Sequence, residues 1–144
     1  MAADDPMLVD MIRQELLLSR GIEAGPEEIL VTVGSQHGLD LVGRVLLGPT
    51  QHVAIENPGY LDARHIFVRT GATLSGIDVD EHGLRPPDTL AGTDLLYLTP
   101  SHQHPTNVTL GIDRRRRLLH LAAESGTVVV EDDYDSEFRY QGSP

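Results

Sequence analysis

Leu95-Leu96-Tyr97-Leu98, the segment Asp113 to Glu124, and Val128-Val129-Val130-Glu131-Asp132 form the stretch whose reading decides the fold. The outer two are short apolar runs of strand length. The segment between them carries Leu118, Leu119 and Leu121 behind Arg114-Arg115-Arg116-Arg117, as a helix does when one face is buried and the other solvated. A strand, a helix and a second strand in that order predict a parallel pair with its crossover helix. Toward the N-terminus the alternation repeats. Thr73 to Val79 reads as a strand, Tyr60 to Thr70 as a helix and His52 to Glu56 as a strand. Before them, Ile29-Leu30-Val31-Thr32-Val33 reads as a strand feeding a helix that carries Leu39, Val42, Val45 and Leu46. Asp5-Pro6 starts a first helix through Leu8, Met11, Ile12 and Leu16, and Gly21 stops it. The expected fold is α/β: a mainly parallel sheet with helices on both faces, in one domain over 1-144.

Composition narrows the chemistry. The 144 residues carry 11 basic and 22 acidic side chains, a formal charge of −11, which opposes contact with a phosphate backbone. No nucleic acid is expected as a partner of this chain. Cysteine is absent, so disulfides, thiolate metal sites and cysteine nucleophiles are excluded. No run of 18 apolar residues suggests a membrane span, and Met1 to Pro6 lacks the pattern of a signal peptide; the expectation is a cytoplasmic protein. All 11 basic residues are arginine. Without a lysine side chain, this chain cannot hold an aldehyde cofactor as a Schiff base.

In open α/β sheets ligands sit beyond the carboxyl ends of strands, so the segments that follow strands are the candidates. Gly34-Ser35-Gln36-His37-Gly38 lies between a strand and a helix, where free N–H groups favour an anion such as phosphate; an ordinary serine N-cap is the plain alternative. Glu56-Asn57-Pro58-Gly59-Tyr60 is a turn whose tyrosine suits stacking on a planar ring, or capping the core below. Thr99-Pro100-Ser101-His102-Gln103-His104-Pro105-Thr106-Asn107 is a polar loop closed by proline. Its His102 and His104 lack obvious partner ligands, so no metal site is expected there. In Glu131-Asp132-Asp133-Tyr134-Asp135, strand alternation puts Val128, Val130, Asp132 and Tyr134 on one side. A carboxylate so placed holds a ring nitrogen protonated, and a phenol bonds a neighbouring oxygen. A magnesium site made of carboxylates and a solvated acidic strand end are the rivals.

Taken in order, these segments resemble the large domain of fold type I pyridoxal-phosphate-dependent aminotransferases of class I/II, in particular the aminotransferase-like domain of MocR/GabR-type regulators. The resemblance covers nearly the whole chain and is most specific at Val33 to Asp40, Asn57 to Tyr60, Thr99 to Thr106 and Glu131 to Tyr140. It implies that Ser35 and Gln36 lie against the phosphate of pyridoxal 5'-phosphate, that Tyr60 stacks on the ring, and that Asp132 pairs with the ring nitrogen. Glu131 and Asp133 stay open as alternatives to Asp132. Tyr134 would bond the phenolic oxygen, and His104 takes the place of an asparagine that touches the same oxygen in many aminotransferases.

Three departures stand out. Asn107 replaces the glycine of a Pro-Thr-Gly turn, and His104 is neither the common asparagine nor a hydrophobic residue. The third is length. In the family the Schiff-base lysine follows the acidic segment, and the chain stops before it, at Gln141-Gly142-Ser143-Pro144. The substrate-carboxylate arginine, the small domain and the regulators' winged helix are also missing. The expectation is a partial cofactor-binding domain, inactive alone and holding the cofactor at most noncovalently, with a small amine or amino acid as substrate or effector. The alternative is an effector- or cofactor-sensing piece of a MocR/GabR-type transcriptional regulator. A homodimer or a partner subunit fits either.

Overall fold

A computed structural model describes residues 4–135. Met1 to Ala3, the Ser136 to Tyr140 part of the fourth motif and the terminal Gln141 to Pro144 lie outside the described residues. The chain divides after Gly34 into two compact units.

In the first unit, the Asp5 carboxylate accepts from the Met7 and Leu8 N–H groups, and Pro6 occupies the first turn of α1 (Pro6–Met11). The helix runs on through a π-helical segment (Ile12–Leu17) and a 3₁₀ turn (Leu18–Arg20), then ends at Gly21. The strand expected over Ile29 to Val33 is not formed. The segment has no regular secondary structure, bends at Val33 and pairs with no described strand; its Val31 N–H donates to the Asp4 side chain at 3.0 Å. β-Branched residues favour extended backbone, but only a neighbouring strand turns extension into sheet. Leu30 and Val33 are exposed.

The second unit contains α2 (Ser35–Leu46), β1 (His52–Asn57), α3 (Leu61–Val68), β2 (Thr73–Asp80), β3 (Gly83–Leu84), β4 (Leu95–Leu98), α4 (Ile112–Ser125) and β5 (Val128–Glu131). The sheet order is β3-β2-β1-β4-β5, with every pairing parallel except that of β2 with β3. The short antiparallel β3 is absent from the sequence reading because two residues carry no period.

Central strands must satisfy both faces, and β1 and β4 do so with unbroken buried runs, Val53 to Glu56 and Leu95 to Leu98. Alternation divides the side chains between two cores. Val53, Ile55, Leu95 and Tyr97 meet Leu39 of α2 and Phe67 of α3, whereas Ala54, Leu96 and Leu98 meet Leu118 and Leu121 of α4. Helices therefore cover both faces. Gly43 of α2 allows close helix packing, since a Cβ there would come within 3.3 Å of the Thr70 methyl group.

The arginine run does more than solvate a helix face. Arg114 makes a two-pronged ion pair with Asp80 at 2.6 and 2.9 Å and donates to the Gly83 carbonyl, tying α4 to the β2–β3 hairpin, while Arg115 reaches Glu131 at 2.6 Å. Arg116 and Arg117 are exposed as expected.

Candidate functional site

From β1 the chain crosses through α3 to β2 on one side; from β4 it crosses through α4 to β5 on the other. The crevice beyond the carboxyl ends of β1 and β4 is thus the point where the winding reverses, the usual place for a ligand in this class of sheet. The Asn57–Tyr60 turn, the Thr99–Gly111 loop and the Asp132–Asp135 segment leave the sheet at this end.

A buried carboxylate holds two of these segments together. Glu56 ends the buried run of β1 at 3% exposure and accepts from the Thr99 N–H at 3.1 Å, the Thr99 hydroxyl at 2.7 Å and the Gln103 amide at 3.3 Å. Gln103 also donates to the carbonyls of Pro58 and His104, and its own oxygen accepts from Thr106. The Thr99 hydroxyl in turn accepts from the His104 N–H at 3.0 Å. Burial raises the pKa of Glu56, and the Thr99 and Gln103 hydrogen bonds oppose that rise. Gly59 completes the turn: a Cβ there would come within 2.3 Å of the Glu56 carbonyl oxygen.

These supports place an aromatic wall around a cavity of about 190 Å³ lined by Ser35, Tyr60, Thr99, His104, Asp132 and Tyr134. The His104 ring meets Tyr60 edge-on at 5.3 Å and Tyr134 at 6.5 Å. The Tyr134 hydroxyl donates to the His102 carbonyl at 3.1 Å, and His102 Nδ1 lies 2.6 Å from Asp135, so the acidic segment is fastened to the Thr99–Gly111 loop. Burial first, then the charges of Asp135 and Asp132, raise the Tyr134 pKa and keep it a neutral phenol.

Five of the six residues singled out in the sequence, Ser35, Tyr60, His104, Asp132 and Tyr134, thus border one cavity. Gln36 does not line it. Its amide donates to Asp62 at 2.7 Å and to the Tyr60 hydroxyl at 3.0 Å, and that hydroxyl donates to Asp62 as well. Of the three carboxylates left open, Glu131 turns to Arg115 and Asp132 forms cavity wall. Among the described residues no three His, Asp or Glu side chains gather as a metal site. Thr99, Glu56, Gln103 and Tyr97 escaped the sequence reading as site residues. A polar residue near the end of a buried strand or just after it, as Glu56 and Thr99 are, was the available signal; Gln103 and Tyr97 carried none.

Asp132 is chemically the most unusual wall residue. It is half-buried, accepts from the Tyr97 hydroxyl at 2.9 Å and meets no cationic side chain among the described residues. Burial raises its pKa, the Tyr97 hydrogen bond lowers it, and the neighbouring Asp133 charge raises it again. A carboxylate withdrawn from water with no counter-charge suits a ligand that brings a protonated nitrogen. With flat rings beside it and hydroxyls around the rim, the donor set fits a phosphorylated pyridine such as pyridoxal 5'-phosphate.

No family model matches the chain. The "HTH-type transcriptional regulator TauR" of Rhodobacter capsulatus is 44% identical over 137 residues, which is 95% of this chain and 28% of the regulator. The crystal structure of an archaeal alanine:glyoxylate aminotransferase superposes with a TM-score of 0.88 at 31% identity, covering 99% of this chain and 38% of that one. LysN, the α-aminoadipate aminotransferase of Thermus thermophilus in complex with N-(5'-phosphopyridoxyl)-L-leucine, superposes at 0.71 with 36% identity over 85% of this chain and 32% of its own. The chain thus spans between about a quarter and two fifths of the proteins it matches. By sequence and by fold, over nearly all of its length, it belongs to the family that joins fold type I aminotransferases with MocR/GabR-type regulators.

Proposed function

We propose that the cavity beyond β1 and β4 is the ring-binding part of a pyridoxal 5'-phosphate site and that this chain holds the cofactor noncovalently. The observation that carries the reading is Asp132, a half-buried carboxylate held by a buried phenol in the wall of an aromatic cavity. When bound, pyridoxal phosphate supplies the electron-withdrawing ring on which amino-group transfer depends.

The chain's residues then have separate tasks. Asp132 accepts from the ring nitrogen and keeps a proton there. Tyr60 and His104 cover the ring and exclude water. Tyr134, neutral and already held by His102, bonds the phenolic oxygen by rotating its hydroxyl, with His104 beside it. Ser35, the first residue of α2, donates to the phosphate at the positive end of the helix. Gln36 joins it by exchanging its Asp62 partner for a phosphate oxygen. A small amine or amino acid is the matching substrate or effector, and a second copy of the chain or another subunit would enclose the open side.

Equilibrium dialysis of the purified chain against pyridoxamine 5'-phosphate tests this. That form has no aldehyde to react with the terminal amine, so retention reports the cavity alone. Saturable one-to-one binding is expected, weakened about tenfold or more in Asp132→Asn, the loss expected of a charged hydrogen bond. Absent binding, or equal binding by the variant, rejects the reading.

The identity with TauR favours a second reading, in which the same cavity senses an amine or amino acid within a regulator. An amino acid that changes pyridoxamine phosphate affinity while no 2-oxo acid is converted supports the sensor; conversion of a 2-oxo acid and pyridoxamine phosphate to the amino acid and pyridoxal phosphate supports the enzyme. The net charge of −11 argues against DNA contact by this segment in either case.

A further inference from the structure

Tyr97 lies in the middle of the sheet, in a run that reads as four core residues. Its ring is fully buried and meets Phe67 edge-on at 5.6 Å, in the layer formed by Val53, Ile55 and Leu95. A phenol sunk in such a layer requires a hydrogen-bond partner, and this one donates to Asp132 Oδ2 at 2.9 Å. Toward Asp132 it is the donor, because burial and the charges of Asp132 and Glu56 hold it protonated throughout the ordinary pH range.

The main chain of Asp132 is fixed independently by its own N–H, which donates to the Leu98 carbonyl at 2.9 Å. Tyr97 engages one carboxylate oxygen, and Oδ1 has no donor among the described residues. The groups around this carboxylate pull in opposite directions. Burial and the like charge of Asp133 favour the neutral acid; Tyr97, reaching up from β4, favours the ion. Ser35, Thr99, Tyr60, His104 and Tyr134 complete the surroundings across the cavity.

We infer that Tyr97 is a positioning residue of this site: its buried phenol fixes one oxygen of Asp132 and leaves the other for a ligand's cationic nitrogen. Its functional weight rests on the cofactor reading above, whereas its physical content concerns Asp132 alone. Phenylalanine at 97 would keep the ring contact with Phe67 and delete only the donor.

The test is the titration of the Asp132 carboxyl by ¹³C NMR in the 144-residue chain without ligand, its signal assigned by loss in Asp132→Asn. Tyr97→Phe is expected to raise the midpoint by about one unit or more, as loss of a hydrogen bond to a charged group should. The thermal midpoint should move little. An unchanged Asp132 midpoint in a folded Tyr97→Phe overturns the inference.

If that variant does not fold, the wild-type chain decides. With tyrosine labelled at Cζ, the Tyr97 signal should step at the Asp132 midpoint and lose the step in Asp132→Asn. A signal that stays flat through that midpoint overturns the inference. Failure of the wild-type chain to bind pyridoxamine phosphate would defeat the cofactor reading and leave the titration result intact.

Discussion

Asn107 has φ 61°, a left-handed backbone that side chains with a Cβ avoid, and its N–H donates to the Gln103 carbonyl at 2.6 Å. Asparagine tolerates this conformation better than other non-glycine residues, and so the turn closes without a glycine. The expectation is that Asn107→Gly leaves stability nearly unchanged, whereas Asn107→Ala lowers it by about 1 kcal/mol. Urea unfolding of the two variants beside the wild type checks this; equal midpoints for alanine and glycine would show that the backbone there is not constrained. Asp132 illustrates the other side of the residue scale. Its identity is ordinary, and its chemistry comes from a tyrosine 35 positions away.

At the scale of elements, one ion pair holds the β2–β3 hairpin on α4. The Arg114 guanidinium, with help from the His82 N–H, lowers the Asp80 pKa from 3.8 to about 2. A carboxyl depressed in the folded state adds stability that is fully present above its unfolded pKa and is lost as pH falls through the folded one. The gap in urea midpoint between the wild type and Arg114→Gln should therefore be constant from neutral pH to about 4 and close toward pH 2. A gap that persists below pH 2 would assign the effect to arginine packing. The hairpin also shows why short elements elude a sequence reading: β3 is two residues long, and it is held by Arg114 from 30 positions downstream as much as by its own pairing.

Across the second unit as a whole, the sheet separates two cores, and Phe67 ties one of them to the candidate site. Its ring is fully buried against Tyr97, which carries Asp132. Phe67→Ala should cost about 3–5 kcal/mol, the range for an aromatic removed from a packed core. The cavity it leaves adjoins Tyr97, so the Asp132 carboxyl titration should broaden as well. A stability loss with an unaltered Asp132 signal would show that core and site are mechanically separate. No helix among the described residues is long and apolar enough to cross a membrane.

The strand–helix alternation, the apolar runs of β1 and β4, and the four loop motifs were legible in the sequence, because a two-fold or 3.6-fold period and a turn signal are local properties. The same local signal misread Ile29 to Val33, since a β-rich segment becomes a strand only where another strand meets it. Five residues singled out in the sequence border one cavity, four of them in segments that follow strands. Tertiary structure alone decided that Tyr97 donates to Asp132, that Glu56 and Gln103 clasp two loops, that Gln36 turns to Asp62, and that Arg114 is an anchor. In each of these the partners lie 26 to 47 positions apart. A hydrogen bond depends on where the fold brings two atoms, and no period within a single segment encodes that distance.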